Sequence, residues 1–236
     1  MKIEYILYQM QILINNNDYI RTLIVSNKIN TKHLDDEGFE ELKVEFYLLM
    51  IQYYFHEKNY LEISKCYKIL FDFMKMIQKS LEKPNEIPPG RVAGYTESQK
   101  KADINFLFEN YVLFLSICPP ELETFNMMNE LKGNYRQDLD KNELILNIVL
   151  KRLSDDLIVI NEEFLNRFKV FKIFEKEELF TLFRKYWIQH DMLIFEKFYS
   201  KIKLGRMQEM INVPTLEIER EIADMVINQY LFAKIN

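Results

Sequence analysis

The residues most capable of chemistry in this 236-residue chain are its three histidines, and their spacing argues against a metal site. His56 and Glu57 begin the signature of a zinc-protease helix, but that motif needs a second histidine where the chain has Tyr60. His33 and His190 lie far from this pair, with no cysteine or histidine at metal-ligand spacing. We predict that the chain binds no metal ion.

The two cysteines offer no better case for catalysis. Cys66 falls on the apolar face of a predicted helix and Cys118 precedes two prolines, so both are interpreted as small structural residues. The chain has no GxSxG, Walker A or GxGxxG pattern, and its carboxylates are spread over polar helix faces without a distinguishable acid–base pair. We therefore predict no catalytic residue and no cofactor.

Composition limits the fold and the cellular setting. The chain has 5 Gly and 6 Pro, too few for the frequent turns of an all-β fold, so long helices are expected. Its net charge of −5 gives no overall attraction to nucleic acid or anionic lipid. No uncharged run approaches the ~18 residues that span a bilayer, and a signal-peptide pattern is absent. These features predict a soluble intracellular protein without membrane or nucleic-acid partners.

The N-terminal third of the chain contains an internal repeat. Lys2–Ile20 aligns with Lys43–Leu61 without a gap. Five positions are identical in the two segments, namely Lys2/Lys43, Glu4/Glu45, Leu7/Leu48, Gln11/Gln52 and Tyr19/Tyr60. A repeat with a period near 40 and helical patterning is typical of stacked helix pairs. Both segments also include a polar turn that ends in a residue suited to helix capping, Asp18 or Asn59.

The positions of the glycines and prolines mark the ends of further predicted helices. The repeat predicts helices at about 2–14, 18–30, 37–56 and 59–79, and later patterns predict others at about 102–117, 120–131, 161–172 and 175–199, with one more that opens at Asp140 and runs to about 153. Residues 79–103 hold five of the eleven Gly and Pro residues and are interpreted as an exposed loop. Gly133 is a predicted helix C-cap, and Asp140 with Glu143 resembles a capping box.

The last residues follow the order of a winged-helix module. Ser200–Leu204 alternates in polarity and predicts a short strand; Gly205–Ile211 and Thr215–Asn228 predict two helices, and Leu231–Ile235 predicts a second strand. A DNA-binding winged helix would present basic residues on its second helix. Here that helix carries four acidic residues against Arg220 alone, so duplex binding is disfavoured.

Helical repeats that lead into a winged helix resemble the PCI-domain family, which is named for the proteasome lid, the COP9 signalosome and translation initiation factor 3. The strings that carry the resemblance to proteasome-lid members lie near both ends: Asp18–Lys32, Tyr47–Ile51, Tyr60–Tyr67, His190–Ile202 and Phe232–Ile235. The implied fold is mainly α, with a helical-repeat solenoid arm at 1–174 and, at 175–236, a connecting helix and a winged-helix module with a small, incomplete β element.

The resemblance implies a non-catalytic scaffold of the proteasome regulatory particle lid, acting in ubiquitin-dependent protein degradation. A paralogous scaffold of the COP9 signalosome is the alternative. Implied partners are other PCI subunits, the deubiquitinating subunit pair, the ATPase ring and the core particle, in a hetero-oligomer of the cytoplasm and nucleus. The family packs its winged helices edge to edge, which implies interface residues at Ser200, Lys201, Ile202, Lys203, Leu204, Leu231, Phe232, Ala233, Lys234 and Ile235.

The chain also departs from the family pattern. Family members carry a helical arm before the segment that matches Met1, and they continue past Ile235 through the wing into a C-terminal helix. The expectation is a shortened protein or part of a longer chain. Relative to the family, the proline-containing stretch 84–94 is an expected insertion.

Overall fold

The structure, a computed structural model, describes residues 2–36, 38–81 and 97–233. These residues form helices and connecting turns, and no strand occurs among them, which confirms the predicted mainly-α fold. The helices are α1 Lys2–Asn15, α2 Tyr19–Ser26, α3 Glu40–His56, α4 Tyr60–Leu81, α5 Glu97–Ser116, α6 Leu122–Asn134, α7 Arg136–Leu139, α8 Glu143–Arg152, α9 Glu162–Asn166, α10 Glu177–Phe198, α11 Leu204–Ile211 and α12 Thr215–Ile227.

The chain divides into two compact units, residues 1–114 and 115–236, with the division inside α5. The boundary predicted at 174/175 marks the point where the helical repeats end and the PCI module begins. The division into compact units does not test this boundary, so it stays a prediction. Of the predicted loop at 79–103, residues 82–96 lie outside the described part of the chain, and its two ends belong to α4 and α5.

The sequence repeat reappears in the helix boundaries of the first unit. Helices α1 and α3 end at equivalent positions of the repeat, Asn15 and His56, and helices α2 and α4 begin at equivalent positions, Tyr19 and Tyr60. Helix α1 packs against both α2 and α3, and α3 packs against α4. The first unit is therefore a stack of helix pairs, as the repeat predicts.

The turn inside each helix pair is also the same at atomic detail. Asn17 and Lys58, which are equivalent in the repeat, both adopt left-handed backbone conformations with φ of 58° and 55°. Asp18 then accepts a hydrogen bond from the amide of Arg21 at 3.1 Å, and Asn59 accepts one from the amide of Glu62 at 3.2 Å. Both predicted caps are confirmed, because each side chain satisfies a first-turn donor of the helix that follows.

Aromatic rings fill the centre of the first unit. The Phe114 ring lies close to three others, and the nearest is Tyr67, with 5.6 Å between ring centroids. Ser64 is fully buried, and its hydroxyl donates to the Tyr111 carbonyl oxygen at 2.9 Å, which connects α4 to α5. These contacts explain why the tyrosines and phenylalanines of α4 recur at helical spacing.

The second unit is built around α10. Helix α12 packs against α10 and α11, which gives the helix–turn–helix arrangement expected near the C-terminus. Trp187 on α10 is almost completely buried between Phe164 and Phe183, with ring centroids 5.5 and 5.8 Å away. Tyr199 follows the end of α10 and is 42% exposed.

Both predicted strands are wrong where the structure describes them. Residues 200–203 have no regular structure, and Leu204 begins α11. Ile202 and Leu204 are half-buried while Lys201 and Lys203 are exposed, so the predicted alternation in burial is present. A strand also needs a hydrogen-bonded neighbour, however, and no ladder forms at these residues. Residues 231–233 are likewise irregular, and Lys234 and Ile235 lie outside the described residues.

Two predicted caps are also wrong. Gly133 lies inside α6, which continues to Asn134. Asn142, not Asp140, caps α8, and its side chain accepts hydrogen bonds from the amides of Leu144 and Ile145. Asp140 instead ends α7, where it pairs with Arg136 at 3.0 Å.

No helix in the described ranges has the length and apolar character needed to cross a membrane.

Candidate functional site

The two predicted interface segments lie at the same end of α10. The first, Ser200–Leu204, leads directly from that helix into α11. In the second, the amide of Phe232 donates to Glu196 Oε1 on the last turns of α10, at 3.0 Å. The structure thus brings residues 200–204 and 231–233 to one region of the second unit, although neither is a strand.

The second segment presents one anchored and one exposed apolar residue. Leu231 is buried, whereas the adjacent Phe232 is 88% exposed. Tyr230 holds the start of the segment, because its hydroxyl donates to Glu121 Oε1 at 2.6 Å. This bond raises the pKa of Tyr230 to about 12, since ionisation of the phenol would lose it. An exposed phenylalanine on an anchored backbone is a suitable contact for another protein.

Sequence reasoning missed two aromatic residues at this end of α10. Phe198, the last residue of the helix, and Tyr199 immediately after it are both exposed. They adjoin Ser200, so the exposed apolar surface begins before the predicted segment. Nothing in the sequence marks them as exposed, because consecutive apolar residues also occur buried within one helix, as at 111–115 of α5.

Three of the four acidic residues of α12 face α10. Glu217 pairs with Arg184 of α10, and Asp224 pairs with Lys185 of α10 at 2.8 Å. These acidic residues and Glu221 occupy one stripe of α12, at intervals of four and three residues. The negative charge that disfavours DNA binding is therefore used in packing two helices together.

At the centre of this stripe is a buried hydrogen-bonded pair. The Gln189 amide donates to Glu221 Oε2 at 3.0 Å and to Asp224 Oδ2 at 3.1 Å. Both Gln189 and Glu221 are buried. Bonding to the Lys185 ammonium lowers the pKa of Asp224. Polar pairing of this kind fixes the relative position of α10 and α12, because buried groups left unpaired are costly.

A second buried polar cluster lies where α8 meets α10. The Arg152 guanidinium donates to the carbonyl oxygens of Tyr186 and Cys118, and Asp191 Oδ1 accepts from the amide of Ile158 at 3.1 Å. Burial raises the pKa of Asp191 and lowers that of Arg152 to about 10. Sequence reasoning could not detect this cluster, because nothing in a helical pattern marks a charged residue as buried.

The residues considered for catalysis are structural where the structure places them. Cys66 and Cys118 are buried, and burial raises the pKa of the Cys66 thiol to about 12, so it is not an activated nucleophile. The His56 ring stacks on Tyr19 with centroids 3.6 Å apart. Across the described residues, no group of three or more potential metal ligands comes together.

Comparison with known proteins matches two families along the chain. The first, described as PSMD12/CSN4, N-terminal, matches residues 1–79, and the PCI domain matches residues 149–236. The two matches take in the helix-pair repeat and the helices around α10 and α12. The chain thus carries a PCI domain, and its first 79 residues are similar to the N-terminal region of PSMD12/CSN4 proteins.

Relatives of this PCI-domain chain are regulatory subunits of the proteasome. It is 28% identical to the 26S proteasome non-ATPase regulatory subunit 12 of Dictyostelium discoideum, over all of this chain and 48% of that protein. It is 26% identical to homolog A of the same subunit in Arabidopsis thaliana, over all of this chain and 55% of that protein. It is 24% identical to 26S proteasome regulatory subunit RPN5 of Saccharomyces cerevisiae, over all of this chain and 49% of that protein. The chain spans about half the length of the curated relatives it matches.

Proposed function

We propose that this PCI-domain chain is a non-catalytic scaffold subunit of a 26S proteasome regulatory particle lid, acting in ubiquitin-dependent protein degradation. The observation that carries the proposal is the similarity of the whole chain to proteasome regulatory subunits. The order of a PSMD12/CSN4 N-terminal region followed by a PCI domain supports it. The proposed site of action is the cytoplasm and nucleus, in a hetero-oligomer.

The proposed mechanism is positioning by interface burial. Partners of this scaffold would be other PCI subunits of the lid, the deubiquitinating subunit pair, the ATPase ring and the core particle. A small number of buried aromatic anchors carry most of the affinity in such interfaces. Phe198, Tyr199 and Phe232 supply exposed aromatic groups at one end of α10.

The proposed contact region keeps the predicted residues but not their predicted strands. It consists of Ser200–Leu204 and Leu231–Ile235, extended by the two aromatic residues that precede Ser200. Contact through irregular segments relies on side-chain burial, because no edge of a described sheet is available for strand addition.

Affinity purification of the chain from its own cells tests the assembly. Mass spectrometry should identify ATPase-ring and lid subunits, and the purified assembly should carry peptidase activity. Recovery of COP9 signalosome subunits without ATPase subunits would favour the alternative scaffold. Isopeptidase or peptidase activity of the isolated, chelator-treated chain would contradict the non-catalytic role.

A Phe232→Asp variant tests the contact region in the same purification. We expect recovery of neighbouring PCI subunits to fall at least several-fold, because the charge would be buried in the interface. Val170→Asp is the matched control, since Val170 is 72% exposed in the same unit but lies outside the proposed region. Equal recovery with the two variants would reject the role of Phe232.

A further inference from the structure

A cavity of about 320 Å³ lies within the second unit, between the beginning of α6, the end of α8 and the last turns of α10. This volume is at the lower end of the range found for small-molecule sites. Its walls are mainly apolar and include Leu122, Phe125, Met128, Leu193 and Ile194. Polar residues also line it, and three of them, Thr124, Arg152 and His190, are buried.

One of these polar residues is buried without a hydrogen-bond partner. Thr124 is 2% exposed, and within the described structure its hydroxyl has no partner. His190 is 8% exposed, and its Nδ1 is paired with Asp191 Oδ1 at 3.5 Å. Buried polar groups in folded proteins are nearly always bonded. The position of the Thr124 hydroxyl on a cavity wall therefore indicates a ligand that would complete its hydrogen bonding.

The charge of the cavity favours an anion. Arg152 is buried and donates hydrogen bonds to backbone carbonyl oxygens, while the nearby buried Asp191 carboxylate, which is not part of the lining, offsets part of its positive charge. The two acidic residues of the lining are already engaged: Glu121 accepts from the Tyr230 hydroxyl, and Asp155 pairs with Lys197. Any remaining attraction is therefore towards negative charge.

Helix α6 adds to this attraction. The helix is 13 residues long and begins at the cavity, and its N-cap residue Glu121 makes no side-chain capping hydrogen bond. First-turn amides and the helix dipole favour an anionic group at such an end. The dipole, the Thr124 hydroxyl and the Arg152 guanidinium thus act in the same direction.

We propose that this cavity binds a small organic carboxylate with an apolar body. The carboxylate would accept from the Thr124 hydroxyl and lie near Arg152 and the first turn of α6. The apolar body would pack against Leu122, Phe125 and Leu193. No covalent step is involved, and none of the cavity's lining residues belongs to the proposed contact region.

The single tryptophan of the chain reports on this site. Trp187 lies beside the cavity residues, with its ring 5.8 Å from the Arg152 guanidinium and 6.1 Å from the His190 ring. We would titrate the full chain with 3-phenylpropionate and with its uncharged amide, following Trp187 fluorescence and calorimetric heat. The carboxylate should bind saturably and about tenfold more tightly than the amide, because a charge-assisted hydrogen bond is lost in the latter. Absence of saturable binding, or equal affinity for both compounds, overturns the proposal.

Variants locate the binding to this cavity. Thr124→Val should weaken 3-phenylpropionate binding about tenfold, whereas Thr124→Ser should restore it to within about twofold. Thr181→Val is the matched control, since that hydroxyl donates to a carbonyl of its own helix, α10, outside the cavity lining. Should Thr124→Val fail to fold, Phe125→Glu decides, because Phe125 is 53% exposed and lines the cavity. Unchanged affinity in Phe125→Glu overturns the assignment to this site.

Discussion

The two compact units differ in what they bury. Among the described residues of the first unit, the buried polar side chains are the hydroxyls of Thr22, Ser26 and Ser64, each bonded to a backbone carbonyl oxygen. The second unit also buries acidic, basic and histidine side chains, which are Asp138, Arg152, His190, Asp191 and Glu221. A buried hydroxyl needs only one backbone carbonyl oxygen, which is local for Thr22 and Ser26 and lies on α5 for Ser64, whereas a buried charge is costly unless it is paired.

The two units therefore differ in what fixes the positions of their helices. Helix pairs of the first unit follow one repeated pattern, and their buried polar groups fit into it without altering it. The second unit fixes its helices through unique polar pairs, such as Gln189 with Glu221 and Asp191 with the Ile158 amide. We therefore expect substitutions of buried polar residues to cost much more in the second unit than in the first.

The largest expected effect comes from Asp191→Ala. The substitution removes the partner of a buried amide and a carboxylate near Arg152, so the free energy of unfolding should fall by about 3 kcal/mol. The corresponding change in the first unit, Ser64→Ala, should cost about 1 kcal/mol, the usual value of one hydrogen bond. Urea unfolding measured by Trp187 fluorescence and circular dichroism gives both values.

Asp155→Ala controls for the loss of a carboxylate as such. Asp155 and its partner Lys197 are both more than half exposed, so this substitution should change stability by less than about 1 kcal/mol. Equally small losses in the free energy of unfolding for Asp191→Ala and Asp155→Ala would contradict the expectation that the buried charges of the second unit contribute strongly to its stability.

The pH dependence of stability should distinguish two aspartates within the second unit. Burial raises the pKa of Asp191 above its ordinary value of 3.8, so the folded state binds more protons than the unfolded state just above pH 3.8. The wild type should therefore gain stability relative to Asp191→Asn as the pH falls from 7 towards 4. Urea unfolding of both proteins at several pH values measures this slope.

Asp224 should behave in the opposite way. The Lys185 ammonium lowers its pKa, so its stabilising contribution is present above pH 3.8 and is lost as the pH falls through the lowered value. The wild type should lose stability relative to Asp224→Asn in that lower range. If stability relative to the Asn variant changed with pH in the same direction for both aspartates, burial could not dominate at Asp191 while pairing with Lys185 dominates at Asp224.

The contrast between the units also explains how much of the fold the sequence could predict. Helix ends in the first unit are predicted to within a few residues where a cap recurs, since Asp18 and Asn59 act locally. Helix α2 ends at Ser26 instead of near residue 30, because Asn30 caps a short 3₁₀ helix, Thr31–Asp35, through the Lys32 amide. The sequence alone does not distinguish a longer α2 from a shorter α2 that is followed by a 3₁₀ helix.

In the second unit, the wrong predictions concern partners that are distant along the chain or choices between neighbouring caps. Asp140 and Asn142 are both good caps, and only the pairing of Asp140 with Arg136 in α7 decides between them. The alternation at 200–204 could not show whether a second strand lies alongside. The cavity beside α6 could not be predicted, because Thr124, Arg152 and His190 meet only after three helices pack.

Removing the two repeated caps tests the similarity of the helix pairs. Asp18→Ala and Asn59→Ala should each lower the free energy of unfolding by about 1 kcal/mol, because each leaves a first-turn amide without its acceptor. The values should agree closely, since the two bonds are 3.1 Å and 3.2 Å long. Asn16→Ala, in the same turn as Asp18, is the control and should have little effect. A cost at one cap only would show that the two turns are similar in geometry but not in energetics.

The smallest expected effect distinguishes the two turns by residue type. Asn17 and Lys58 adopt the same left-handed conformation, but asparagine tolerates it better than lysine does. Lys58→Gly should therefore stabilise the chain by about 0.5 kcal/mol, whereas Asn17→Gly should be nearly neutral. Thermal unfolding of the two variants against the wild type measures the difference. An equal gain at both positions would mean that the strain belongs to the shared turn and not to the residue that occupies it.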